Sequence, residues 1–221
     1  MKRLHTRSLP AALLAAAFAA CGPATRGTPA AVPTPVDAHA GHTVPAAVPV
    51  DNGGFPATEA DIRFMSGMIG HHAQAIQVAQ LAPTHGASPE VQRLAARIIG
   101  SQEDEIATMR QWLADRGQPV PDAHAAHHGH DAALMPGMLT AAQIAQLDAA
   151  RGADFDRLFL TFMIQHHRGA VTMVEQLFGS YGAGQDETVF KFASDVNVDQ
   201  ATEIDRMQRM LEGLLFASPA P

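Results

Sequence analysis

The chain has 221 residues, 47% hydrophobic and 17% charged, a balance that supports a packed core rather than wholesale disorder. A net charge of −7 argues against a nucleic-acid-binding surface, and the single cysteine excludes a disulfide framework or a multi-cysteine zinc or iron–sulfur site. Against one tryptophan and one tyrosine stand 12 histidines and 10 methionines, side chains that suit soft or borderline metals.

The first element is an export signal. Lys2, Arg3 and Arg7 form a basic start, and the apolar run Leu9 to Ala20 is too short for a stable membrane span, which needs roughly 20 apolar residues. Phe18-Ala19-Ala20-Cys21-Gly22 resembles a bacterial lipobox, with Phe18 where leucine is usual. Residues 1–21 therefore read as a lipoprotein-type signal with Cys21 as the lipidated mature N-terminus. The expected location is periplasmic or otherwise extracytoplasmic, with membrane contact only through that anchor. Loss of residues 1–20 removes three basic side chains and brings the mature chain to −10.

Residues 22–57 are rich in Pro, Ala, Gly, Thr and Val and read as a semi-extended tether. A helical unit is expected over 58–215. Thr58 and Asp61 form a capping-box variant that opens a helix stopping near Pro83. Ser88-Pro89 opens a second, which runs to about Gly117. A His-rich linker covers about 118–139, and Thr140 then starts a short helix ending near Ala150. A long helix follows over roughly Asp154 to Phe178, and a last one runs from near Asp186 to about Leu215. No alternating strand pattern is present.

The chain carries an internal repeat. Asp61-x-x-Phe64-Met65-x-x-Met68-Ile69-x-His71-His72 matches Asp156-x-x-Phe159-Leu160-x-x-Met163-Ile164-x-His166-His167. The partner helices match as well, with Gln102-x-x-Glu105-Ile106-x-x-Met109 against Gln200-x-x-Glu203-Ile204-x-x-Met207. Two such hairpins bury little alone but together close a four-helix bundle with a pseudo-two-fold arrangement.

Helical spacing places Met68 three residues before His71 and four before His72, and Met163 likewise before His166 and His167. On each first helix the apolar stripe carries His72 or His167 inward, with His71 and His166 at its edge beside Phe64 and Phe159. Met68, His71, His72, Met163, His166 and His167 are thus the candidate metal ligands, an N/S donor set that favours Cu(I) over hard ions. For either copy alone, core packing of the methionine and a hydrogen-bonded core histidine would suffice as an explanation. Met109 and Met207 are secondary candidates. Gln102, Gln200, Glu105 and Glu203 suit hydrogen-bonding roles around the ligands. His124, His127, His128 and His130 in the linker suit weak, exchangeable Zn(II) or Cu(II).

These residues resemble the bacterial family known as domain of unknown function 305, whose signature is paired Met-Ile-x-His-His helices in a secreted helical bundle. The second copy, Phe155-Asp156-Arg157 through Met163-Ile164-Gln165-His166-His167-Arg168-Gly169-Ala170-Val171-x-Met173, fits closely. The first copy departs from the family's His-His-x-Gly-Ala, reading His71-His72-Ala73-Gln74-Ala75. The resemblance covers roughly residues 58–215. It implies an all-α, ferritin-like four-helix fold and, for some members, periplasmic copper binding associated with copper resistance.

The leading functional expectation is a non-enzymatic envelope protein that sequesters or delivers copper, with the metal ion as its partner and no nucleic acid. A protein partner is not readable from the sequence. One alternative is a metal-free envelope lipoprotein acting as an interaction module. Another is a di-metal ferritin-like oxidoreductase, which needs Glu-x-x-His pairs; no histidine here has glutamate three positions before it. No nucleophile–base constellation or phosphate loop is visible.

Overall fold

A computed structural model describes residues 55–122 and 135–216. The described chain is all-helical and contains five α-helices: α1 (Glu59–Ala79), α2 (Pro89–Asp115), α3 (Ala141–Ala149), α4 (Gly152–Phe178) and α5 (Glu187–Phe216). A 3-10 turn, Ala82–Thr84, follows α1, and there is no strand among the described residues. The signal region, the tether up to residue 54, and His124, His127, His128 and His130 lie outside the described residues.

The helix starts follow from local chemistry. Thr58 Oγ1 accepts from the Asp61 amide at 3.2 Å while Asp61 returns a carboxylate oxygen to the Thr58 amide at 2.8 Å. Thr140 and Gln143 make the same reciprocal pair at the head of α3. Ser88 caps α2, with Pro89 at the position where a missing N–H costs nothing. Helix α1 ends at Ala79 rather than near Pro83, because the last residues tighten into the 3-10 turn.

Helix α1 packs along α2, α4 along α5, and α1 against α4. Two apolar clusters fix the direction of each pairing. One joins Ala75, Val78 and Ala79 near the end of α1 to Val91, Leu94 and Ile98 near the start of α2, and to Phe155, Phe159 and Leu160 near the start of α4. The other joins Phe64, Met65 and Met68 near the start of α1 to Trp112 and Leu113 near the end of α2, and to Val174 and Leu177 near the end of α4. With Met207 near the end of α5 in the first cluster and Val189 near its start in the second, all three pairings are antiparallel. Between the clusters, in sequence and along the helices, fall His71, His72, His166 and His167.

Two buried aspartates link the helical pairs reciprocally. Asp61 Oδ1 on α1 accepts from the Gly184 amide in the α4–α5 turn at 2.7 Å. Its counterpart in the sequence repeat, Asp156 on α4, accepts from the Ser88 amide at the start of α2 at 3.1 and 3.2 Å. The capping reading of Asp61 from sequence captured only half of what that side chain does.

A short strap, Met135–Leu139, crosses the α1–α4 seam before α3. Gly137 has φ +75°, and both it and Gly169 of α4 must lack a side chain. A Cβ on Gly169 would fall 2.0 Å from the Pro136 carbonyl oxygen, and one on Gly137 would fall 2.7 Å from Gly169 Cα. Gln74 of α1 anchors the strap's far end, accepting from the Leu139 amide at 2.7 Å and donating to its carbonyl at 3.0 Å.

Candidate metal centre

Four histidines occupy the layer between the two apolar clusters, each at most 1% exposed. The sequence stripe put His71 and His166 at the edge of the buried face, whereas all four histidines are enclosed. His71 and His166 meet across the α1–α4 seam, ring centroids 3.9 Å apart and planes tilted by 39°, while His72 and His167 point away toward the partner helices. Successive helical residues differ by about 100°, and α1 and α4 are each packed on two sides, so both members of a His-His pair are enclosed.

The partner helices fix the ring tautomers. His72 Nε2–H donates to Glu105 Oε2 on α2 at 2.5 Å, and His167 Nε2–H donates to Glu203 Oε2 on α5 at 2.7 Å. His71 Nε2–H donates to the Pro136 carbonyl of the strap at 3.0 Å. The Nδ1 atoms of His71, His72 and His167 are buried without a partner. Carboxylate or carbonyl on one ring nitrogen and nothing on the other is how a protein orients an imidazole for a metal. His166 goes further: neither of its ring nitrogens makes a well-formed hydrogen bond, and the only polar group that bears on it is the His71 backbone. His85, buried beside α3, shows the contrast. Its Nδ1 meets the Leu81 carbonyl at 2.9 Å and its Nε2 the Asp148 carbonyl at 3.0 Å, as a structural histidine should.

Electrostatics keep the central pair neutral. Burial lowers the His71 pKa from 6.5 to about 3, helped by the neighbouring charge of His72 and only partly offset by the Pro136 carbonyl. Burial, followed by competition for protons with His71, His167 and His72, holds His166 well below its ordinary value, only partly offset by the His71 backbone. Neutral imidazoles bind a cation without first releasing a proton. Among the described residues no three His, Cys, Asp or Glu side chains already stand together as a metal-binding group. A closed site drawn from this layer therefore needs rotation of the rings or another donor type, and thioethers are at hand.

Met68 and Met163 are both buried but lie in different clusters, one on each side of the histidines. Met109 shares the cluster of Met68, and Met207 that of Met163. Gln102 sits one turn from Glu105 on α2, with both amide atoms buried and unpartnered; Gln200 on α5 has its amide oxygen in the same condition. Sequence reasoning missed the strap carbonyl at His71. Its visible trace was one of the differences between the repeats, Gln74 against Gly169, which are the two residues that hold and admit the strap.

A sequence profile described as Domain of unknown function (DUF305) matches residues 61–211, well over half of the chain. The protein belongs to the DUF305 family. Its solved relatives include a DUF305 fragment from Deinococcus radiodurans, 30% identical with a TM-score of 0.62 over 71% of this chain and 98% of that one. A DUF305 protein from Streptomyces coelicolor is 25% identical, with a TM-score of 0.61 over 73% and 98%. CopM in a Cu(II)-bound form is 31% identical, with a TM-score of 0.57 over 69% and 96%; that protein has also been solved in Cu(I)-bound and silver-bound forms. No curated protein matches.

Proposed function

We propose that this DUF305 protein is a non-enzymatic metal-binding protein of the cell envelope that sequesters or delivers copper through Met and His donors. The observation that carries the reading is His166, enclosed in the core without a well-formed hydrogen bond at either ring nitrogen, its ring centroid 3.9 Å from that of His71. Leaving a buried polar group unpaired costs about 1–3 kcal/mol, and a bound cation recovers it. In this reading α1–α2 and α4–α5 are the two repeated hairpins of a ferritin-like four-helix bundle. The ligands are drawn from Met68, His71, His72, Met163, His166 and His167, with Met109 and Met207 in reserve.

Several further points belong to the same reading. Thioether and neutral imidazole donors favour Cu(I), and the cargo of the CopM relative includes both copper oxidation states and silver. The linker histidines hold Zn(II) or Cu(II) exchangeably. Export through the N-terminal signal, with lipidation at Cys21, places the protein outside the cytoplasm, in keeping with the secreted description of the Streptomyces relative. The oxidoreductase alternative gains nothing from the glutamates of this layer: Glu105 and Glu203 accept histidine N–H groups.

X-ray absorption of the mature protein, loaded with Cu(I) and dialysed, tests the proposal. Retained copper with mixed nitrogen and sulfur neighbours is the expected result. A shell of nitrogen and oxygen alone would remove the methionines from the site, and protein that retains no copper would overturn the reading.

A further inference from the structure

The strap brings a thioether to the margin of the histidine layer. Met135 opens it, and the next residue, Pro136, is the one whose carbonyl engages His71. Met173 stands on α4 one helical turn beyond Gly169, where the strap is seated. Both methionines converge on the same bare spot of α1. A Cβ on Gly67 would lie 3.6 Å from Met135 Sδ and 3.5 Å from Met173 Cε, so those two atoms stand no more than about 7 Å apart. At Met135 it is the sulfur that faces this point. Gly67 in turn lies one helical turn before His71, whose Nδ1 is buried and unpartnered.

We propose that Met135 and Met173, with His71 Nδ1 as the third donor, form a soft-cation site at the seam of α1, α4 and the strap. This site rests on the metal-binding reading above and adds two donors that the repeat does not supply, since Val78 of α1 occupies the position that Met173 holds in the second copy. Two neutral thioethers and one neutral imidazole suit a monovalent soft ion, Cu(I) or Ag(I). A shared ion requires the sulfurs to be about 4–5 Å apart, twice a metal–sulfur bond of about 2.3 Å. Met173 presents its methyl rather than its sulfur to this point, and its three rotatable bonds let the sulfur turn toward Met135 without moving backbone. The Pro136 carbonyl holds His71 by its other nitrogen, so the strap both orients the imidazole and carries a thioether on the adjoining residue.

The test is a titration of the mature protein, labelled with 13C at the methionine methyls, with Ag(I) as a redox-inert probe. Methyl signals are assigned with M135L and M173L, and the titration itself is read in the unsubstituted protein. The signals of Met135 and Met173 should move together at the same equivalents of Ag(I). M135L should weaken Ag(I) binding by about tenfold or more, while M138L, three residues along the strap, should leave it unchanged. Movement of Met68 or Met163 with Met135 and Met173 still would overturn this site and leave the histidine-layer reading intact. No response from any methionine or histidine signal would overturn both.

Discussion

At His166 the protein accepts a local penalty that ordinary cores avoid. Neither of its buried ring nitrogens makes a well-formed hydrogen bond, and its neighbour His71 has one nitrogen in the same condition. The consequence for stability has a definite sign. Both groups have folded-state pKa values below the ordinary 6.5, His71 at about 3, so the unfolded chain binds more protons than the folded one between those limits. Their contribution is fully present above about pH 6.5 and is lost as pH falls toward 3, with a slope of up to about 1.4 kcal/mol per pH unit for each histidine. Urea midpoints of the metal-free protein should therefore fall steadily from pH 7 to pH 5. A midpoint that stays level over that window would contradict the assignment of neutral, enclosed imidazoles.

Among the elements, the strap and α4 depend on the absence of two side chains. The Gly169→Ala substitution would set a Cβ 2.0 Å from the Pro136 carbonyl oxygen and 2.6 Å from Gly137 Cα, both backbone atoms that cannot rotate away. The strap must lift, and His71 then loses its Pro136 partner. Overpacking of this kind costs about 1–3 kcal/mol, and urea denaturation should show a loss in that range. Gly100→Ala on the exposed side of α2, where nothing lies within 4 Å, should instead add stability, up to about 1 kcal/mol from helix propensity. Equal effects at the two glycines would refute the close-approach argument.

The helices themselves were largely legible in the sequence, because Thr58, Ser88 and Thr140 act locally and the apolar spacing reports one packed face. The strap was not, since it depends on two glycines 32 positions apart meeting in space. Nor was the inner position of His71 and His166. A helical stripe assigns a single inward direction, whereas α1 is covered by α2 on one side and α4 on another. Residues 71 and 72 therefore both count as buried, each facing a different neighbour. Spacing alone singled out the two His-His pairs that the structure encloses; which neighbour each ring faces could not be read from it.

Over the whole molecule, a polar layer of histidines, glutamates and glutamines separates two apolar clusters, and reciprocal aspartate contacts join the helical pairs. No helix among the described residues is long and apolar enough to cross a membrane. Membrane attachment in the proposed reading thus falls on Cys21, which lies outside the described residues. Cys21→Ser should release the protein from the membrane fraction while its helical circular dichroism signal stays unchanged. A variant that still sediments with membranes would remove the lipid anchor from the account.

The central claim is that the enclosed histidines exist to hold copper rather than to stabilise the core, and His166→Leu separates the two. Leucine is close in size to histidine and has no polar atoms, so the substitution removes a buried unpaired group worth about 1–3 kcal/mol. Thermal denaturation of wild type and variant, with and without Cu(I), is the decisive measurement. A ligand at a thousandfold excess over its dissociation constant adds about 4 kcal/mol to the folded state, roughly a 10 °C rise in a domain of this size. Wild type should show that rise. The variant should melt at the same temperature or higher without metal, yet show a markedly smaller rise with copper. A variant that is less stable without metal and keeps the full copper-induced rise would contradict the account.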